Sequence, residues 1–451
     1  MERNQAIFDE LKRIDKVCPN SSTPLAKHKL MATNPFRFMR GAASLFYADL
    51  LSGHIKLPSQ LVGKHLHTCI MGDCHISNFG FFTEEGSHGD SVVFAPNDFD
   101  DACIGNANWD LLRFLVSLQL TIDYCQGLKT GRYSTEELAS PETLFAADAE
   151  HLNNAQEAFL DAYLCTCDSL IADPSGRQRV LMDFPKGHVL RKFSDKARKR
   201  AAGGKHFNIK SALAKLIISS SANKDTSKGI STTPIFNQPS SKLSPVSEPL
   251  RSEIIQTFSP YVDDAILDVA ERLGAGTGSV NMQRYYLLVG PEDYAGEQDL
   301  NLCHIVEVKQ QRVAAPVQHF AQISPVNTLN PAHLTLVCQQ RMQRRPDLVL
   351  DEILWQGSHW LVRSRHHAKV GIKPEHIGLA KSHDKLGFVS YARACGEALA
   401  LAHCRGDRRS TRFEQAMVNT LPQHQNELVS VASEYAKQSI RDCHILREQL
   451  G

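Results

Sequence analysis

Gly72-Asp73-Cys74-His75-Ile76-Ser77-Asn78-Phe79-Gly80, followed by Asn97-Asp98-Phe99-Asp100-Asp101, is the stretch on which the reading of this 451-residue chain turns. An Asp stands five residues ahead of an Asn, and a second acidic cluster follows the apolar run Ser91-Val92-Val93-Phe94-Ala95. Phosphoryl transfer asks for little covalent help from a protein. It asks for positioning, and for cations that neutralise charge on the phosphates. Magnesium favours hard oxygen ligands, which carboxylate and amide side chains supply. A carboxylate beside an acceptor hydroxyl can align it and take its proton. Asp73 fits the acceptor role, and Asn78 and Asp98 fit the metal role. Asp100 and Asp101 are additional acids. Asp100 is assigned as a further metal ligand, with solvation or turn-capping open for both. The bland alternative for the whole set is a pair of acidic surface turns, since Asp and Asn are common turn formers.

Outward from these loops, the chain to Leu57 reads helical, with a break at Asn34-Pro35. Thr68 to Met71 and Ser91 to Ala95 read as short strands, expected to form a small hairpin beside the acidic loops. Trp109 to Tyr124 carries Leu111, Leu112, Leu115, Leu118 and Ile122 at helical spacing, with Asp110 near its start. Pro141 to Leu170 reads as a second helical region. Ser219 to Ser247 is rich in Ser, Lys, Asn and Pro and reads as a flexible linker. Beyond it, Ile254 to Leu273 reads as a helix. A glycine loop, Gly274-Ala275-Gly276-Thr277-Gly278-Ser279, leads into strands at Tyr285 to Val289 and Leu302 to Val308, the second ending at Lys309. Trp355 to Val362 reads as another strand, and Tyr391 to Cys404 and Glu427 to Leu450 as helices.

Glycines let backbone amides approach phosphates closely. Gly274, Gly276, Gly278 and Ser279 are therefore the candidate nucleotide-binding loop, and Lys309 the candidate phosphate-neutralising cation. The competing readings are a plain turn and an exposed strand lysine. Glu307 shares a strand face with Lys309, but Pro331 to Arg345 holds no Glu that could pair with the lysine; Glu307, Glu352 and Glu397 are candidates.

After Asp98, Ala102, Gly105 and Asp110 follow at four, seven and twelve residues. This spacing is similar to that of aminoglycoside- and choline-kinase-type phosphotransferases, where the later Asp ties the catalytic loop to a helix. His75 matches the His of their Gly-Asp-x-His-x-x-Asn loop and joins Asp73 as a catalytic candidate on that resemblance. Phe36 to Ala43 (FRFMRGAA), Gly72 to Gly80, Asn97 to Asp101, Trp109 to Arg113 (WDLLR), Gly274 to Val280 (GAGTGSV), Val306 to Lys309 (VEVK) and Gly396 to His403 (GEALALAH) together resemble the bacterial DUF2252 family. That family looks like a remote branch of the kinase-like superfamily. The resemblance implies an α+β, protein-kinase-like two-lobed fold with a mainly helical large lobe and a small antiparallel β lobe. The glycine loop and lysine follow the acidic loops by about 200 residues instead of preceding them, so the expected fold is circularly permuted. The expected parts are 1–218, a helical part with the catalytic and metal-binding loops; 219–247, the linker; 248–370, the nucleotide-binding β part; and 371–451, helices returning to the large lobe.

A net charge of +1, with 42% apolar and 22% charged residues, describes an ordinary globular chain without a global field for nucleic acid or membrane. No apolar run approaches a membrane span and no signal-peptide core opens the chain, so a cytosolic location is expected. The twelve cysteines contain no CxxC pair and are expected to be reduced and mostly buried. Arg191 to Arg200 is basic but lacks interleaved aromatics, which argues against nucleic acid. Arg40 is open to a phosphate contact or a structural ion pair. Arg363, Arg365, His366, His367 and Lys369 form a basic strip, read as a solvated edge or an anionic-substrate patch. His403 reads as a satisfied core histidine. The leading expectation is an ATP- and magnesium-dependent phosphotransferase acting on a hydroxyl of an unidentified small molecule or protein, with nucleotidyl transfer as a variant. A nucleotide-binding pseudoenzyme is the alternative. A metallophosphoesterase is a weaker one, because Asp73-Cys74-His75 is not followed by the later histidine motifs.

Overall fold

The computed structural model describes residues 2–86, 91–218, 233–274 and 282–450. The fold mixes helices with antiparallel sheets. Its helical body is built on Ala107–Lys129, a helix apolar on nearly every face and buried along almost its whole length. Asn106 caps it by accepting from the Asn108 N–H at 2.9 Å. Phe114 stacks on Phe159 of the helix Ala149–Ala172, with ring centroids 4.1 Å apart. The helix Phe388–Gly406 packs along Ala149–Ala172, and the long helix Arg412–Leu450 crosses both Ala107–Lys129 and Ala149–Ala172. Asn34 caps the short helix Pro35–Gly41, with proline at its first position.

The expected hairpin beside the acidic loops is not formed. The strand His67–Ile70 pairs with Cys103–Asn106, and Val92–Pro96 pairs with Phe79–Thr83. Each acidic loop thus emerges from a different small sheet. The second partner of each pair was hidden: Cys103-Ile104-Gly105-Asn106 is short and carries Gly and Asn, which strands disfavour.

A six-stranded antiparallel sheet runs in the order Leu350–Trp355, Ser358–Arg365, His304–Gln310, Arg284–Gly290, Ala265–Arg272, Leu243–Pro245. The expected helix over Ile254 to Leu273 is instead the helix Glu248–Phe258 followed by the strand Ala265–Arg272. The turn of the hairpin Leu350–Trp355/Ser358–Arg365 is Gln356-Gly357, both at positive φ (49° and 71°) as a twisted two-residue hairpin turn requires. Alternation divides the sheet. Tyr285, Leu287, Val306, Val308, Trp360 and Val362 pack under the helix Glu248–Phe258. Tyr286, Leu288 and Ile305 pack on the other face with Phe207, Leu213 and Phe236. The helix Pro331–Met342 contributes Leu334, Cys338 and Met342 to the helical core, and Ala332 and Leu336 to contacts with Leu350 and Leu361 of the sheet. Residues 219–232 of the expected linker lie outside the described residues; Ile235–Phe236 and Leu243–Pro245 beyond them are strands.

Every cysteine is a free thiol, and all are buried apart from Cys18 and Cys165. Among the described residues, no helix is long and apolar enough to cross a membrane.

Candidate functional site

The loop after His67–Ile70 is fixed by Asp110. Its carboxylate accepts from the backbone N–H groups of Met71 (2.6 Å) and Gly72 (3.1 Å), and from His403 Nε2 at 3.1 Å. His403 Nδ1 meets the Tyr163 hydroxyl at 2.8 Å, so this histidine is a core group with both nitrogens engaged. Gly72 has φ +74°, and a Cβ there would sit 2.0 Å from the Asp101 carbonyl oxygen. Only glycine allows the two acidic loops to touch at this point.

Asp73 follows at once. Its carboxylate is paired with the Arg113 guanidinium, and its backbone carbonyl accepts from the Asn78 side-chain amide at 2.8 Å. Burial alone would raise the Asp73 pKa; the Arg113 charge, with His75 beside it, overcomes this and draws it well below the usual carboxylate range. Arg113 is buried in the helix Ala107–Lys129 and lies over the Phe46 ring at 4.9 Å. His75 Nδ1 accepts from the Ser77 N–H at 3.1 Å. Its Nε2 faces Arg40 Nε at 3.3 Å and Asp73 Oδ2 at 3.6 Å. Burial pushes the His75 pKa down to about 4, so the ring is neutral near pH 7.

In the second loop the acids have separate partners. Asp101 is held by both Nη groups of Arg312 at 2.9 Å and by the Ala315 N–H at 2.7 Å, a structural clamp. Asp100 is paired with Lys309, and Arg363 stands 3.7 Å away. Asp98 has no ion pair among the described residues; it accepts only a 3.4 Å contact from the Asp100 N–H. Burial and the neighbouring Asp100 charge raise its pKa. A carboxylate held in this way beside a second one is a site that a cation would relieve. Among the described residues, no group of three His, Cys, Asp or Glu converges as a ready-made metal cage. Magnesium held jointly with nucleotide phosphates needs only one or two protein carboxylates, and Asp98 with Asn78 fits that demand.

Lys309 reaches this place from the sheet. Register puts Arg284 directly opposite Lys309, and Tyr286 and Arg363 opposite Glu307. Directly opposed residues share a face, so Arg284, Glu307, Lys309, Arg363 and Arg365 all project toward the acidic loops. Glu307 bonds Arg284 at 3.1 Å and Arg363 at 2.8 Å. The lysine's carboxylate partner is therefore Asp100, and none of Glu307, Glu352 and Glu397 takes that part. A cleft of about 310 Å³ is lined from one side by Asp73, His75, Asn78, Asp98 and Asp100, and from the other by Arg284, Glu307, Lys309 and Arg363. Gly274 sits just past Arg272, which also lines the cleft. Gly276, Gly278 and Ser279 lie outside the described residues.

Sequence reasoning left Arg113, Arg284 and Arg312 unread. Arg113 had a usable signal: an arginine flanked by Leu111, Leu112, Phe114 and Leu115 is buried and needs a carboxylate. Of the strip Arg363 to Lys369, open in sequence between a solvated edge and an anionic-substrate patch, Arg363, Arg365, His366 and Lys369 line the cleft.

The sequence profile of a family described as an uncharacterized protein conserved in bacteria, DUF2252, matches residues 22–449. The chain belongs to the DUF2252 family. No curated protein and no solved structure matches it. In this DUF2252 protein the matched span holds the acidic loops, the strand of Lys309 and the helix carrying Arg113.

Proposed function

We propose that this DUF2252 protein is a magnesium- and ATP-dependent phosphotransferase acting on a hydroxyl acceptor. The observation that carries the reading is the single cleft shared by Lys309 on the sheet and Asp73, Asn78 and Asp98 on the helical body. The finer form of the proposal is a kinase-like fold in two lobes with circularly permuted order. In support, the strands Arg284–Gly290 and His304–Gln310, the second carrying Lys309, a helix and a hairpin follow one another, and the acidic loops come earlier in the chain.

In this scheme Lys309, with Arg284 and Arg363 beside it, neutralises phosphate oxygens. Asn78 and Asp98 would hold magnesium, which when bound masks charge on the phosphates. Asp73, fixed by Arg113 and kept ionised, orients the acceptor hydroxyl and receives its proton late in the reaction. His75 stays neutral and buttresses Asp73. The Lys309–Asp100 pair holds the cation in place before nucleotide arrives. A nucleotide-binding protein without turnover is the second reading, favoured because, among the described residues, Lys309 is paired with Asp100 and with no helix-borne glutamate. Incubation with γ-labelled ATP and a bacterial metabolite extract separates the two. Label should pass to an acceptor with the wild-type chain and fall by about a hundredfold or more with Asp73→Asn, while that variant keeps its nucleotide affinity. No label transfer by wild type that nevertheless binds ATP would favour the second reading.

A further inference from the structure

We infer that Arg40 forms an anion subsite on the acceptor side of the cleft, so that the acceptor carries a phosphate or carboxylate close to the hydroxyl that reacts. This rests on the phosphotransferase reading of the same cleft and goes beyond it by naming the substrate class.

Arg40 lies in the last turn of the helix Pro35–Gly41 and lines the cleft on the side of Asp73 and His75. Its Nε faces His75 Nε2 at 3.3 Å, and its guanidinium packs by the Phe36 ring at 5.9 Å. Phe36 also meets the His75 ring edge-on at 5.9 Å. These contacts flank the guanidinium and approach it only at its Nε. Its two Nη groups have no hydrogen-bond partner among the described residues, and no carboxylate there stands within ion-pair distance of them. Four other cleft cations contrast with it: Lys309 is paired with Asp100, Arg284 and Arg363 with Glu307, and Arg312 with Asp101. Lys369, which also lines the cleft without an ion pair among the described residues, lies in the field of Asp98. Arg40 therefore keeps a free planar fork, whose two parallel N–H groups match a carboxylate or phosphate bidentately. Its position beside His75 and Asp73 puts such an anion next to the acceptor hydroxyl. Burial disfavours the Arg40 charge, and Asp73 and Asp98 favour it without pairing with it; that charge in turn offsets their repulsion of an anionic acceptor.

The test is calorimetric titration of the full chain with inorganic phosphate and, separately, acetate, the smallest probes of the two head groups. Both series are run alone and with saturating magnesium and a non-hydrolysable ATP analogue. The expected result is binding of at least one anion that persists with the analogue present. It should weaken about tenfold or more in Arg40→Gln and be partly restored in Arg40→Lys. Whichever probe binds tighter names the head group. Equal anion affinity in Arg40→Gln and wild type, no binding of either anion, or loss of the anion site when the analogue binds would overturn the subsite. The nucleotide reading fails separately, if wild type does not bind the analogue. Circular dichroism and melting of both variants show whether they are folded.

Discussion

At the scale of single residues, the account makes opposite demands on two neighbours. Asp73 is kept ionised by Arg113, and His75 is kept neutral by burial. The ordinary histidine value is about 6.5. A folded-state pKa near 4 lies below it, so His75 contributes stability that is complete above about pH 6.5 and is lost as pH falls through about 4. The shift corresponds to roughly 3 kcal/mol at most. Melting followed across this window should show wild type losing stability toward acid, and His75→Gln should lose less; an unchanged slope would contradict the buried, neutral ring. Arg113→Met should cost about 3 kcal/mol, because it leaves the Asp73 charge without its buried partner. The double variant Arg113→Met/Asp73→Asn should recover part of that loss in urea unfolding. Additive losses would mean that the pair is not coupled.

At the scale of elements, Asp110 joins three of them: the loop after His67–Ile70, its own helix Ala107–Lys129, and the helix Phe388–Gly406 through His403. Asp110→Ala strands two buried N–H groups and His403. It should cost about 3–5 kcal/mol in urea unfolding, and a loss under about 1 kcal/mol would show that the loop is held by other means. From its residues Asp110 was legible only as a carboxylate near a helix start; its structural role came from the resemblance that its spacing after Asp98 carries. Pairing was not legible. The local pattern of Thr68 to Met71 and Ser91 to Ala95 identifies strands but not their partners, and one partner, Cys103–Asn106, carries poor strand formers. The stretch Ile254 to Leu273 misled for another reason. Ile254, Ile255, Phe258, Ile266, Leu267 and Val269 suit a helix and a buried strand equally, and only the pairing of Ala265–Arg272 with Arg284–Gly290 decides. The acids of the cleft were readable because each set is contiguous. The cations were not, because Arg284, Lys309 and Arg363 come from three strands whose shared face exists only once the register is set.

At the scale of the whole molecule, the claim is that the sheet and the helical body meet around one magnesium nucleotide. Neither part holds the full set of groups. Lys309 and its arginines belong to the sheet, and Asn78, Asp98 and Asp73 to the helical body. Affinity should therefore depend on residues from both sides and on the cation. The direct measurement is calorimetric titration of ATP into the full chain with magnesium and with EDTA, for wild type, Lys309→Met and Asp98→Ala. The account predicts one site per chain for wild type with magnesium, weakened about tenfold or more by chelation and by each substitution. No ATP binding by the folded wild-type chain, or binding indifferent to magnesium and to both substitutions, would contradict it.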